Sequence, residues 1–243
     1  MVRLPARLTS KLAKARIAQF LNSGPPGPLL HCVDPGEVLH PGSAAPVSRE
    51  KLHALLQNFA PVIWIGGTEP LYHAGIGHFV RAIAQSGHCV FLESDGTALR
   101  RRIHEFHPLP ELFLTVRLDS PQVPEAALAV EGLRAARLSG FFTVIHSRVR
   151  EDSDLAQFAT LRSFIAEKDI DGWLITARSS NEGVVRKAAE ARGLIGSSFW
   201  RQFSEHVEEA LLLGTPAREL QSTQGFGPES LDSQAGEEGM RIA

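Results

Sequence analysis

Polar side chains follow five short apolar runs of this sequence, each at the point where the run ends. These segments are Gly66-Gly67-Thr68-Glu69-Pro70, Glu93-Ser94-Asp95-Gly96-Thr97, Arg117-Leu118-Asp119, His146-Ser147-Arg148 and Arg178-Ser179-Ser180-Asn181. The glycine turn at 66–67 exposes backbone N–H and C=O groups that could contact a ligand, and the other segments add carboxylates and arginines. This chemistry requires a fold that brings the ends of the runs to one place.

Six apolar runs are predicted to be parallel β-strands, because each is too short for a buried helix and most are rich in β-branched and aromatic residues. The runs cover residues 29–33, 61–65, 88–92, 112–118, 141–146 and 172–177. Amphipathic segments, predicted as helices, lie at 48–59, 76–86, 97–105, 125–138, 152–168 and 182–192. This alternation is typical of β/α units, whose sites lie at the carboxyl ends of the strands. A partial barrel and an open doubly wound sheet fit the pattern equally well.

The strand ends resemble those of the radical S-adenosylmethionine (radical SAM) superfamily. The family's Gly-Gly-Glu-Pro motif is similar to residues 67–70, with Thr68 in place of the second glycine. The sequence Ser-Asp-Gly-Thr-Ala-Leu at 94–99 resembles the family's third strand end, and LFLTVRLDS at 112–120 resembles its fourth strand. The resemblance runs in order over residues 29–192 and includes the strand count. It implies an α/β fold, a six-unit (β/α)6 partial barrel, rather than an open sheet.

The resemblance also identifies a missing motif. In the family, a loop after the first strand carries Cys-x3-Cys-x2-Cys, whose thiolates bind a [4Fe–4S] cluster. Here the corresponding positions fall near Pro35, Leu39 and Gly42, which cannot ligate iron. The two cysteines of the chain, Cys32 and Cys89, are interpreted as small buried apolar groups. The sequence therefore predicts neither a [4Fe–4S] cluster nor radical cleavage of SAM.

A SAM pocket at the barrel mouth is a further implication of the resemblance. Its candidate residues are Gly66, Gly67, Thr68, Glu69, Ser94, Asp95 and Arg117. In the family, the glycine turn contacts the methionine amino group largely through its backbone. Backbone contacts survive the change to Thr68. Two alternatives therefore remain: the turn still binds SAM, or it is only a structural relic of the family's binding motif.

Composition sets the remaining expectations. The chain has 243 residues, 43% hydrophobic and 21% charged, with a formal net charge of -2. These values are ordinary for a globular protein and do not favour nucleic-acid binding. No apolar run reaches the roughly 20 residues of a transmembrane helix, and no secretory signal is recognisable. A cytoplasmic protein is therefore expected.

Three segments are predicted along the chain. Residues 1–24 hold a basic amphipathic helix, residues 25–213 the partial barrel with a C-terminal helix, and residues 214–243 a disordered tail. The first helix, at 3–21, is interpreted as a cap on one end of the domain. The alternative is peripheral contact with a membrane surface or with a partner.

These features together favour a non-catalytic accessory or regulatory protein that binds an unidentified protein partner. One alternative is an enzyme of different chemistry in the same cavity, using Glu69, Asp95, Arg117, Asp119 and His146. A second is a SAM-binding protein, and a third is a radical SAM enzyme with a non-standard cluster site.

Overall fold

The computed structural model describes residues 5–21, 27–38 and 49–214, which form a parallel sheet covered by helices. The strands are β1 (Leu30–Val33), β2 (Val62–Ile65), β3 (Cys89–Ser94), β4 (Leu112–Arg117), β5 (Phe142–Val149) and β6 (Gly172–Ala177). The helices are α1 (Ala6–Leu21), α2 (Pro35–Val38), α3 (Arg49–Leu56), α4 (Ile76–Gln85), α5 (Leu99–Arg102), α6 (Ala127–Leu138), α7 (Leu155–Glu167), α8 (Glu182–Arg192) and α9 (Ser198–Gly214). The predicted strands are all confirmed.

The order of the strands distinguishes the two architectures that the sequence pattern allows. The order is β1-β2-β3-β4-β5-β6, and every neighbouring pair is parallel. A doubly wound sheet reverses direction at a switch point, whereas here each strand adds to the same side of the one before it. The sheet therefore curls into a half-barrel, and the predicted partial barrel is confirmed.

In two of the predicted helices, part of the predicted range is a 3₁₀ turn in the structure. The helix predicted at 97–105 ends at Arg102 and continues as a 3₁₀ turn over Ile103–Glu105. The guanidinium of Arg102 pairs with Glu105 at 2.6 Å and also bonds the carbonyl of Leu71, which holds the chain in the tighter turn. The helix predicted at 125–138 begins two residues later, after a 3₁₀ turn at Pro124–Ala126. Residues 215–243, predicted as a disordered tail, lie outside the described part of the chain.

An aromatic row crosses the concave face of the half-barrel. Register places Trp64, Phe91, Phe113 and Phe142 side by side on four successive strands. The rings of Trp64 and Phe91 stack at 5.6 Å, and those of Phe91 and Phe113 at 4.6 Å. Phe203 of α9 contacts Phe91 at 5.2 Å. Aromatic rings on this face, with helices on the other, explain why the strands read as continuous apolar runs.

Helix α9 closes the open side of the half-barrel along β6. The hydroxyl of Ser204 accepts a hydrogen bond from the Ile175 amide at 3.2 Å, and the Glu208 carboxylate accepts one from the Ala177 amide. Serine and glutamate four residues apart on a helix thus bond alternate amides of an edge strand. Side chains of α9 therefore replace the seventh strand that a closed barrel would place here.

The same helix reaches the other edge of the sheet. The Cys32 thiol on β1 lies 3.9 Å from the Ala210 carbonyl oxygen of α9. At the opposite end of α9, the Trp200 ring packs so closely on Gly172 that a Cβ there would lie 2.5 Å from it. Helix α9 therefore bridges the first and last strands.

Helix α1 covers the amino-terminal ends of the strands. Leu8 is fully buried. Lys11 donates to the Gly87 carbonyl before β3, and Arg7 pairs with Glu111 before β4. One apolar and two basic side chains of α1 thus contact the rest of the domain, as expected for a helix that caps it. Among the residues that the structure describes, no helix is long and apolar enough to cross a bilayer.

Candidate functional site

The carboxyl ends of β2, β3 and β4 bring four predicted site residues into contact. The Glu69 carboxylate accepts from the Ser94 hydroxyl at 2.7 Å, the Asp95 amide at 2.8 Å and an Arg117 nitrogen at 3.2 Å. It also accepts from the Leu71 amide at 3.2 Å. Each oxygen of the Glu69 carboxylate therefore accepts two hydrogen bonds. The predicted grouping of these side chains is therefore present, with Glu69 at its centre, while their role in SAM binding stays a prediction.

The glycine turn that precedes Glu69 contacts the side chain of the residue that follows β1. Asp34 follows the last residue of β1, and its Oδ2 accepts from the Thr68 amide at 3.3 Å while its Oδ1 accepts from the Gly36 amide at 2.7 Å. Gly67 has a φ of 101°, and a Cβ there would lie 2.5 Å from Asp34 Oδ2. Glycine is therefore required both by the backbone conformation and by the carboxylate beside it. The Gly66–Thr68 turn thus faces a side chain of the same domain.

A second carboxylate lies fully buried beneath this cluster. Glu93 on β3 receives a hydrogen bond from His146 Nδ1 at 2.6 Å and two from one Arg148 nitrogen at 2.7 and 2.8 Å. The other ring nitrogen of His146 lies 2.8 Å from the Thr176 hydroxyl on β6. Three strands therefore contribute to one polar cluster inside the half-barrel.

The charge of Glu93 is stabilised by its neighbours. Burial by itself disfavours the charged carboxylate, but the His146 hydrogen bond and the positive charges of His146, Arg148 and Arg117 outweigh burial and lower the pKa to about 2. The sequence pattern did not identify Glu93 or Arg148 as site residues. Arg148 could have been identified from its two-residue spacing from His146, because this spacing puts both side chains on one face of β5.

The side chains proposed for a different enzyme chemistry are bonded to other groups of the same domain. Arg117 turns toward Glu69, and Asp119 accepts a hydrogen bond from the Arg148 amide at 2.9 Å. His146 has no exposed surface, and both of its ring nitrogens are bonded. A base must reach the proton that it removes, and His146 is not placed to do so. Residues 39–48, which follow α2 in the sequence, lie outside the described residues.

The donor set at the end of β1 does not fit an iron–sulfur cluster. Such clusters are held by cysteine thiolates, and the described residues that follow β1 are Asp34 and the Pro-Gly-Glu-Val of α2. Burial raises the pKa of Cys32 to about 11 and that of Cys89 to about 11, which disfavours both thiolates. Cys89 also begins β3, at the end of the sheet away from the mouth. Within the described ranges, no group of three or more His, Cys, Asp or Glu side chains is placed to hold a metal ion.

Comparison with known proteins identifies the fold. No protein-family model matches the chain, and no curated protein matches it in sequence. The crystal structure of Streptococcus suis SuiB bound to S-adenosylmethionine matches with a TM-score of 0.54 and 12% identity, over 78% of this chain and 49% of SuiB. SuiB bound to its precursor peptide SuiA matches with a TM-score of 0.51 and 12% identity, over 78% of this chain and 51% of SuiB.

A crystal structure of archaeal TYW1 also matches, with a TM-score of 0.43 and 13% identity over 58% of this chain and 55% of TYW1. This chain therefore spans about half the length of the solved chains that it matches. SuiB, the match with a TM-score above 0.5, is a radical SAM enzyme. The half-barrel described above is thus a radical SAM-like fold, as the strand-end motifs predict.

Proposed function

We propose that this chain is a radical SAM-like protein that works without a [4Fe–4S] cluster, as a non-catalytic accessory or regulatory protein whose barrel mouth binds a ligand or partner. The observation that carries the proposal is the donor set at the end of β1, which is Asp34 followed by α2 and contains no thiol. Cys32, the nearest cysteine, lies against the backbone of α9 with a pKa raised to about 11.

Contacts at the glycine turn support the same proposal. The Thr68 amide already bonds Asp34, and the Glu69 carboxylate already accepts four hydrogen bonds. A motif that serves ligand binding in an active enzyme is expected to leave such groups free for the ligand. Here the groups stabilise the ends of β1, β2 and β3 instead.

Anaerobic reconstitution of the full chain with iron and sulfide tests this proposal. We expect a colourless protein without stoichiometric bound iron, and the same result for a double variant with Cys32→Ala and Cys89→Ala. A brown protein that cleaves SAM in the presence of a reductant, and whose cluster is lost in the double variant, would overturn it. The double variant separates a protein-bound cluster from iron sulfide that adsorbs to any surface.

A polypeptide partner and a cytoplasmic location belong to the same proposal. SuiB has been solved with its precursor peptide SuiA, and this match supports a mouth that accepts a polypeptide. Cys32 and Cys89 are both free thiols, in keeping with a reducing compartment.

A second candidate function is SAM binding without SAM cleavage. It is favoured by the match to SuiB bound to SAM, and by the partly exposed position of Arg117 at the end of β4. Calorimetric titration with SAM tests it. Binding that is weakened by Arg117→Gln but not by a change of the exposed Arg101 to glutamine would support it, and absence of heat with the wild-type chain would contradict it.

A further inference from the structure

A cavity lies at the amino-terminal end of β6, at the opposite end of that strand from the barrel mouth. It has a volume of about 290 Å³ and lies between the C-terminal half of α7, the start of β6 and the segment that joins α8 to α9. Ile170, Ile195 and Trp200 line it and are buried, whereas Arg162 and Gly196 line it and are exposed. The buried residues therefore form the floor of the cavity and the exposed residues form its rim, so that it opens to solvent.

The walls of the cavity are almost entirely apolar. Two indole side chains, those of Trp173 and Trp200, line it together with the aliphatic side chains of Ile165 and Leu194. A Cβ at Gly196 would meet no atom of the described residues within 4 Å, so the rim is wide at this position. Protein interiors are closely packed, and an apolar cavity of about 150 Å³ is already large enough to hold benzene. This cavity, at about 290 Å³, therefore has room for an apolar group roughly twice that size.

One cation at the rim has no partner within the described part of the chain. Arg162 is exposed on α7 and makes neither a hydrogen bond nor an ion pair with the residues that the structure describes. An acid three or four residues away along a helix would stabilise such an arginine. The four positions at that spacing are all apolar: Phe158, Ala159, Ile165 and Ala166. The Arg162 guanidinium is therefore available to an anionic group beside the cavity.

The acidic residues of the same region already bond a different arginine. Asp171 accepts hydrogen bonds from Arg137 of α6 at 3.1 and 3.2 Å, and Asp169 also pairs with Arg137. Asp171 accepts a further bond from the Thr143 amide at 2.9 Å. The Arg137 guanidinium offsets much of the negative charge of these two carboxylates. Arg162 therefore gives the rim of the cavity a local positive charge.

We propose that this cavity binds a small apolar carboxylate, with its apolar body between the two indole side chains and the aliphatic wall and its carboxylate beside Arg162. Burial of the apolar body supplies most of the affinity, and the guanidinium favours an anionic group over a neutral or cationic one. The inference goes beyond the proposed function, because the cavity and the mouth lie at opposite ends of the sheet. It holds or fails independently of what the mouth binds.

The indole N–H signals of the full chain, in a nitrogen–proton NMR correlation spectrum, report on this cavity directly. The chain has three tryptophans, of which Trp173 and Trp200 line the cavity, whereas Trp64 stacks on Phe91 inside the half-barrel. Titration with indole-3-acetate and, separately, with octanoate distinguishes an aromatic from an aliphatic body. We expect at least one of these acids to shift the two cavity signals, with a Kd of ~1 mM or below. The Trp64 signal, identified as the one missing from Trp64→Phe, should stay in place.

Two phenylalanine substitutions on α7 test the position of the ligand. Ala166→Phe puts a ring into the rim of the cavity and should weaken binding at least tenfold. Ala159→Phe is the matched control, because it makes the same change at an exposed position of the same helix that does not line the cavity. It should leave the Kd unchanged. Urea unfolding of each variant confirms that it is folded before titration.

The charge preference is tested with tryptamine, which carries an amine in place of the carboxylate. Tryptamine should bind wild type more weakly than indole-3-acetate does. Arg162→Gln should weaken binding of the acid about two- to fivefold, as expected for an exposed ion pair, and Arg162→Lys should restore part of the affinity.

Three results would overturn the inference. The first is the absence of shifts in the cavity signals with both acids at ten times the expected Kd. The second is equal weakening by Ala166→Phe and Ala159→Phe, which would place the ligand elsewhere. The third is binding of tryptamine as tight as that of indole-3-acetate, or an Arg162→Gln variant that binds the acids as wild type does.

Discussion

Replacing Glu93 by glutamine should destabilise the fold by ~2 kcal/mol at neutral pH. The substitution removes the charge that His146 and Arg148 bond, at distances of 2.6 to 2.8 Å. Breaking a fully buried ion pair costs about 3 to 5 kcal/mol because a charge is left without a partner. Here the cost is smaller, since the Arg148 side chain is partly exposed and can be hydrated.

The pH dependence of this effect follows from the lowered pKa of Glu93. Lowering a carboxyl pKa from 4.5 to about 2 on folding corresponds to ~3 kcal/mol of stability. Because the folded pKa is the lower one, this contribution is complete above about pH 5.5 and is lost as the pH falls from 4.5 toward 2. The glutamine variant has no such contribution to lose. The stability difference between wild type and Glu93→Gln should therefore narrow by ~1 kcal/mol between pH 5.5 and pH 3.5.

Urea unfolding at these two pH values, followed by circular dichroism, measures the difference. Glu131→Gln is the matched control, because Glu131 forms an exposed pair with Arg100 in which the side chains are 52% and 67% exposed. That change should alter the unfolding free energy by less than ~1 kcal/mol. A difference for Glu93→Gln that stays constant or widens as the pH falls would refute the reasoning, since Glu93 would then not be charged in the folded protein.

Three other substitutions test the packing of helices α1 and α9 against the half-barrel. Gly172→Ala puts a Cβ 2.5 Å from the indole ring of α9 and should destabilise the protein by ~1 to 3 kcal/mol in thermal melts; Gly196→Ala, with nothing within 4 Å, should be close to neutral. Leu8→Ala should lower the urea unfolding free energy by ~2 to 5 kcal/mol, whereas Ile17→Ala, at a position 59% exposed, should change it by less than ~1 kcal/mol. Ser204→Ala should leave a β6 amide unbonded and speed its hydrogen exchange, with a loss of ~1 kcal/mol. Equal effects of the paired glycine or aliphatic variants, or unchanged exchange at β6, would contradict the packing described.

The strands and the cluster around Glu69 could be predicted because each depends on local sequence. Short β-branched and aromatic runs define the strands, and parallel strands bring their carboxyl ends to one edge. Glu69, Ser94 and Arg117 each follow or end such a run, so their meeting follows from the topology. The order of the strands decides between a half-barrel and an open sheet. Periodicity does not reveal this order, and only the strand-end motifs predict it.

The buried Glu93 cluster could not be predicted because both faces of these strands are covered. Alternation of polar and apolar residues shows which side chains face the core only when the other face of the sheet is exposed to water. The β3 run therefore does not show that the Glu93 side chain points into the half-barrel. Its bond to His146 also depends on register across three strands. In the sequence, Asp34 belongs to the segment in which the family carries its cluster cysteines. Its contact with the Thr68 amide could not be predicted, because it depends on how β1 pairs with β2.

Helix α9 also determines when this domain can finish folding during its synthesis. The Cys32–Ala210 contact joins residues 178 positions apart, so β1 cannot complete its contacts until α9 has left the ribosome. Until then, the amides of Ile175 and Ala177 lack the side chains that bond them, and Phe91 lacks the α9 rings that cover it. Unpaired strand edges and uncovered aromatic surface are the features that make nascent chains prone to aggregate. A growing chain of this protein therefore exposes both features until α9 has been synthesised.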